Sequence, residues 1–270
     1  MVCRFKRIHQ KAHNGNLIKS LKNFGINTLT IYILMVVFLA TLVRSAFGFG
    51  ESLVAVPLLA FRIPLEIAAP LSVLISITVA SVIVVQDWKK VHVRSAGWLI
   101  LSTFFGIPLG LMLLIYVNER MVKAGLAIII IAFSIYSLIG RKPKVLKTDR
   151  WDWMLGCGFC AGILGGAYGL NGPPLAIYGS MRRWSAQHFR ATLQGYFLPA
   201  SIIGMCGFWL AGLWVPLVTH YYLISIPVVL PTIFLGRAVN HRLRGEGFFK
   251  YIYISLLAIG IFFLIQSISG

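Results

Sequence analysis

Apolar runs fill this chain, and its polar residues fall between those runs or in one terminal tail. Stretches of about 20 apolar residues can cross a bilayer. Such stretches lie near 27–47 (apolar on to 61), 67–86, 96–117, 121–139, 151–170 (on to 180), 191–214, 220–236 and 249–268. Each predicts a helix, because a backbone in lipid must pair its own polar groups. The expected fold is therefore an all-α integral membrane protein with about eight hydrophobic segments. The most charged linker, "RKPKVLKTDR" (141–150), separates the fourth segment from the fifth.

The pattern also repeats. "AFGFGESLVAV" (46–56) aligns with "AYGLNGPPLAI" (167–177) at an offset of 121 residues. Each piece sits at the same place in a run of about 30 residues, and three more segments follow each run. "GLMLLIYVNERMVK" (110–123) has a looser echo in "GRAVNHRLRGEGFFK" (236–250). The expected organisation is a basic N-terminal tail (1–25), a first membrane repeat (26–140), the charged linker (141–150) and a second membrane repeat (151–270). A straight helix of 30 residues would be about 45 Å long, against a hydrocarbon core of about 30 Å. The first and fifth segments must therefore tilt, break or turn back. Their Gly and Pro clusters favour a break near the membrane midplane. Two broken helices at matching places in two halves point to a transporter's binding site.

Composition sharpens the class. The chain is 58% hydrophobic and 12% charged, against about 25% charged for a soluble domain. Its net charge is +18, spread over tail and loops. No clustered basic domain exists to carry nucleic acid. Control of topology by Lys and Arg, and a field favouring anions at the pore mouths, explain the charge better. The tail carries Arg4, Lys6, Arg7, Lys11, Lys19 and Lys22 and no acid. It reads as a cytoplasmic anchor on anionic lipid. If every segment crosses once, 14 basic residues fall on the side of the tail and 10 on the other. If the fifth segment alone doubles back at "GLNGPP", the split becomes 21 against 3, which the positive-inside rule prefers. The same hairpin in the first segment would put the tail outside. Duplication and charge therefore disagree on the first segment.

The chemistry expected at the breaks is anion binding. Asn171, Gly172, Pro173 and Pro174 suit the start of a half-helix. Proline costs nothing in a first turn, Asn is a good N-cap, and free N–H groups at a helix N-terminus favour anions. A packing kink without a ligand is the plainer alternative. In the first half Gly48 and Gly50 make the break, bracketed by Arg44 and Glu51. Arg44 can grip an oxyanion with its planar fork, or it can snorkel to an interface or pair with Glu51. Glu51 is the one carboxylate inside a spanning run. It is the candidate for proton coupling, or else a counter-ion for Arg44. Arg190 and Gln194 stand at i and i+4 on one helix face, from which both could reach the break. Cys157 and Cys160 form a C-x-x-C inside an apolar helix and read as packing rather than redox chemistry. Trp151, Trp153, Trp209 and Trp214 fall near span ends, as interfacial belts do. No metal-ligand set, nucleophile elbow or phosphate loop is present in the sequence. No metal, no cofactor and no catalytic set is therefore expected.

"VRSAFGFGESLVAVPLL" (43–59), taken with "GGAYGLNGPPLAIYGSMRRWSAQHFRATLQGYFLP" (165–199), resembles the TauE/SafE family of sulfite-exporter-like permeases. The pairing of R-S-x-x-G-F-G-E with N-G-P-P and F-R-A-T-L-Q-G-Y-F resembles one branch of it. The resemblance covers about 27–268. It implies a multi-pass permease, often an exporter, for small sulfur-containing or organic anions. The partners expected are a small anionic substrate and membrane lipid, with self-association left open, in a prokaryotic inner membrane. The alternative is a non-transport membrane protein, either an accessory subunit or an enzyme with a buried site. An enzyme should show a nucleophile–base pair or a metal set at the break.

Overall fold

The structure is a computed structural model that describes residues 26–87, 93–139, 150–182 and 186–242, with seven more residues between 254 and 265. Among the described residues there are nine α-helices and no strand. The first half holds α1 (Ile26–Phe47), α2 (Glu51–Ala60), α3 (Leu65–Asp87), α4 (Val93–Tyr116) and α5 (Glu119–Ile139). The second holds α6 (Trp151–Tyr168), α7 (Gly172–Met181), α8 (Ala186–Leu210) and α9 (Pro216–Arg242). Six of them, α1, α3, α4, α5, α8 and α9, are long and apolar enough to cross a membrane. The basic tail and most of the charged linker lie outside the described residues, as do most of the eighth expected segment.

Both expected breaks are present, and both are tight turns. α1 ends where Gly48 and Gly50 adopt φ of 85° and 96°, a region open to glycine and strained for other residues. The chain then reverses. The Tyr32 hydroxyl, about four turns before the end of α1, donates to the Leu58 carbonyl near the end of α2 at 2.6 Å. The Arg62 guanidinium, just past α2, lies 5.8 Å from the centre of the Tyr32 ring. α2 therefore runs back along α1, and the first segment is a helical hairpin.

The second turn is closed differently. Gly169 takes φ 66°, and the Leu170 N–H reaches back to the Leu164 carbonyl at 3.1 Å. This is the glycine-dependent stop that commonly ends helices. α7 packs against α6. Met154, near the start of α6, shares one buried cluster with Met181 at the end of α7.

α3 is the most enclosed of the long helices, with 67% of its most apolar window buried. It packs against α8, α2 and α9. The most extensive helix pairs are α4 with α6 and α1 with α9. The α4–α6 seam is lined by small residues. Gly162 and Gly166 on α6 face Gly106 and Gly110 on α4, and Gly158 lies against Leu99 and Ser102. A Cβ at Gly106 would run into the Phe159 carbonyl oxygen, and one at Gly110 into that of Ile163. Small residues let backbones approach like this in lipid. The Thr103 hydroxyl adds a bond to the Gly158 carbonyl at 2.8 Å. Gly110→Ala should therefore destabilise the fold by about 1–3 kcal/mol through overpacking. A lowered midpoint of thermal unfolding in detergent would register this, and an unchanged midpoint would count against the seam.

Not every proline marks a break. Pro57, Pro70, Pro108, Pro199, Pro227 and Pro231 all lie inside helices. Packed neighbours can tolerate the lost hydrogen bond at membrane depth. The C-x-x-C pair is split: Cys157 is half-buried and Cys160 is exposed. The expectation that both serve core packing therefore fails for Cys160, because it stands two residues from Gly158 and Gly162 and so on the face of α6 turned away from α4. Trp151, Trp153, Trp209 and Trp214 are all exposed near helix ends.

Candidate functional site

The two turns meet beside the middle of α3. Ser76 stands 11 residues from either end of that helix, about 16 Å by the helical rise. From the last turn of α1, Arg44 reaches into this region with only 2% of its surface exposed. Its Nη1 pairs with Glu51 Oε2 and donates to Ser76 Oγ at 2.6 Å. Nε and Nη2 both donate to Gln194 Oε1, at 3.3 and 2.9 Å. Gln194 Nε2 in turn donates to the Gly48 carbonyl at 2.8 Å. The Phe197 ring covers the guanidinium at 4.9 Å, a cation–π contact. Ser76 and Ser201 share a hydrogen bond of 3.0 Å.

One residue from each of α1, α2, α3 and α8 thus ties the first hairpin to the centre of the molecule. A buried ion pair is weak evidence for stability, since desolvation offsets the attraction. Here it fixes the geometry of the turn. Arg44 does not snorkel; it is paired with Glu51.

A narrow cavity lies at the junction. It has about 20 Å³ of room, close to what one water needs. Arg44, Glu51, Ser76, Ser201, Asn171 and Gly172 are among its lining. Its electrostatics come partly from backbone. α2 begins at Gly50 with no side-chain cap, so its first-turn N–H groups have no partner within the helix. Gly50, Glu51, Ser52 and Leu53 all line the cavity. A helix N-terminus of this kind carries partial positive charge.

Asn171 departs from the role expected of it. A capping Asn would accept from N–H groups two and three residues on. Those residues are Pro173 and Pro174, which have no N–H. Asn171 Oδ1 is accordingly buried with no partner, and the residue is 8% exposed. The same prolines remove two of the four N–H groups that the start of α7 would otherwise offer. The donors at this junction come mainly from α2 and Arg44. Gly165 sits beneath the Asn171 amide, where any Cβ would collide with Oδ1.

The structure brings Arg44, Gly48, Gly50, Glu51, Gln194, Asn171 and Gly172 to one place. Arg190 falls in the first turn of α8, and its side chain lies outside the described residues. Ser76, Ser201 and Phe197 were not anticipated. A lone hydroxyl or ring in an apolar helix looks like ordinary packing, and only the tertiary contact with Arg44 marks these out.

Residues 33–263 match the family model of the sulfite exporter TauE/SafE. The chain belongs to the TauE/SafE family. Searches of curated proteins and of solved structures return no match. TauE/SafE proteins are membrane permeases, so this member is a membrane transporter with several apolar helices in a lipid environment.

Proposed function

We propose that this TauE/SafE protein moves a small oxyanion, of the sulfite or sulfonate type, through the junction of its two hairpins. The observation that carries the reading is convergence. A fixed arginine, an uncapped helix N-terminus and a buried Asn171 amide line one narrow cavity. A small anion must exchange its water shell for such donors. Arg44, Gly48, Gly50, Asn171, Gly172, Arg190 and Gln194 form the substrate site, and Glu51 is the proton-coupling group. Pro173 and Pro174 keep the second turn open. The cavity holds about one water as it stands, so the turns must part to admit substrate. Export from a prokaryotic cytoplasm is the proposed direction.

The duplicated arrangement belongs to this proposal. With both hairpins turned back, α3, α4 and α5 would carry the chain across three times, and the second half would enter inverted. Exchange of the halves turns the α4–α6 pair into the α9–α1 pair, and these are the two most extensive helix contacts. Counted this way, 15 basic residues from 89–94, 141–150, 182–190 and 237–250 share one side. Nine lie opposite, six of them in the tail. The larger group marks the cytoplasm, which sets the tail on the other face. Lys144→Cys and Ser185→Cys, each in a background without native cysteines, should both resist an impermeant thiol reagent added outside. Labelling of just one of them would mean that the fifth segment crosses once.

The functional reading is tested by flux. Purified protein in vesicles should give saturable counterflow of sulfite, methanesulfonate or acetate above that of empty vesicles, and none of rubidium. Flux no greater than that of empty vesicles for all three anions would reject it.

A further inference from the structure

The cavity carries no net charge. Arg44 and Glu51 are the ionisable groups in its lining, and they hold each other. A guanidinium has five N–H groups. The contacts to Glu51, Ser76 and Gln194 occupy four of them. An anion arriving here meets a neutralised arginine with one N–H to spare. Its own charge would be left uncompensated in a narrow, largely buried place, which is strongly unfavourable.

Two further atoms fit the same account. Glu51 Oε1 and Asn171 Oδ1 are both buried without a donor, and both residues line this cavity. Buried acceptors of this kind are rare and call for an explanation. As acceptors they also repel the oxygens of an anion. A single hydrogen on Oε1 removes the charge problem and ends the isolation of Oε1. It cancels the carboxylate charge and frees the arginine's charge for the anion. It also turns Oε1 into a donor, able to bond one water in the cavity or the anion itself. Oε2 is held by Arg44 Nη1, so Oε1 is the atom open to the proton.

Resting on the permease reading above, we propose that each monoanion enters the site together with one proton on Glu51, and that the transport cycle carries no net charge. The proton comes from water on the loading side and leaves to water on the other; no bond is made or broken in the substrate. The other groups facing Glu51 are Ser76 from α3, Gln194 and Ser201 from α8, and Asn171 from the second turn. None of these titrates, and no residue of α5 lines the cavity.

Methanesulfonate is the probe of choice, because it stays a monoanion across the working range of pH. In vesicles carrying the full chain, wild-type methanesulfonate flux should acidify the receiving compartment by one proton per anion. An imposed potassium–valinomycin potential should leave that flux unaltered, as should replacement of sodium by choline. Glu51→Gln imitates the protonated acid; its anion flux should follow the imposed potential and lose its dependence on pH. Wild-type flux that follows the potential, or that requires sodium, overturns the inference and leaves the permease reading standing. The same holds if Glu51→Gln keeps the wild-type proton-to-anion ratio. Should Glu51→Gln fail to fold, the wild-type potential measurement decides alone. Absence of wild-type methanesulfonate flux removes the permease reading for sulfonates, and the inference with it.

Discussion

Arg44→Met should lower the stability of the protein by about 3–5 kcal/mol, because it strands a buried carboxylate. Glu51 would lose the contact that holds Oε2, and Gln194 and Ser76 would lose their donor. Adding Glu51→Met should restore much of the loss, since replacing both members of a buried pair with apolar groups is often neutral. Neither variant should transport, because the fixed positive charge is gone. Arg44→Lys should separate the two roles further. It keeps the charge but not the planar fork that reaches Glu51, Ser76 and Gln194 together. Unfolding midpoints in detergent, read beside vesicle flux, check all three variants. A single Arg44→Met variant as stable as the wild type would mean that the ion pair does not hold the first turn.

Asn171→Ala should behave in the opposite way. Its Oδ1 has no partner to lose, so folding should be little affected. If Asn171 instead serves the ligand, its loss removes a hydrogen bond to a charged group, about 1.5–3 kcal/mol. Binding of the transported anion should weaken by roughly tenfold to a hundredfold. A variant with wild-type affinity and an unchanged melting point would mean that the second turn is a packing kink.

The helices and the positions of both breaks were legible in the sequence. Apolar runs in lipid leave few alternatives to helix, and glycine at Gly48, Gly50 and Gly169 marks positive φ where side chains are strained. Arg44, Glu51 and Gln194 stood out because charge and amide are costly within a span. The direction of the chain after the first break was not legible. The basic tail argued for crossing, and the fold-back depends on Tyr32 meeting Leu58 and Arg62, residues about 26 and 30 positions away in sequence. Capping preference alone misleads at Asn171, because Pro173 and Pro174 have no N–H for its side chain to hold. The close approach of α4 and α6 was hidden because its glycines resemble those of the breaks. Only the backbone contact tells the two uses apart. Ser76 and Ser201 carry no signal in sequence, since hydroxyls in apolar helices commonly bond their own backbone.

The most direct test is equilibrium binding of a transported anion to purified Arg44→Lys protein whose folding has been verified by its unfolding midpoint. If the anion is held where the two hairpin turns meet, binding should be lost or weakened at least tenfold while the fold persists. Wild-type affinity in a folded Arg44→Lys variant would contradict a substrate site at the turns.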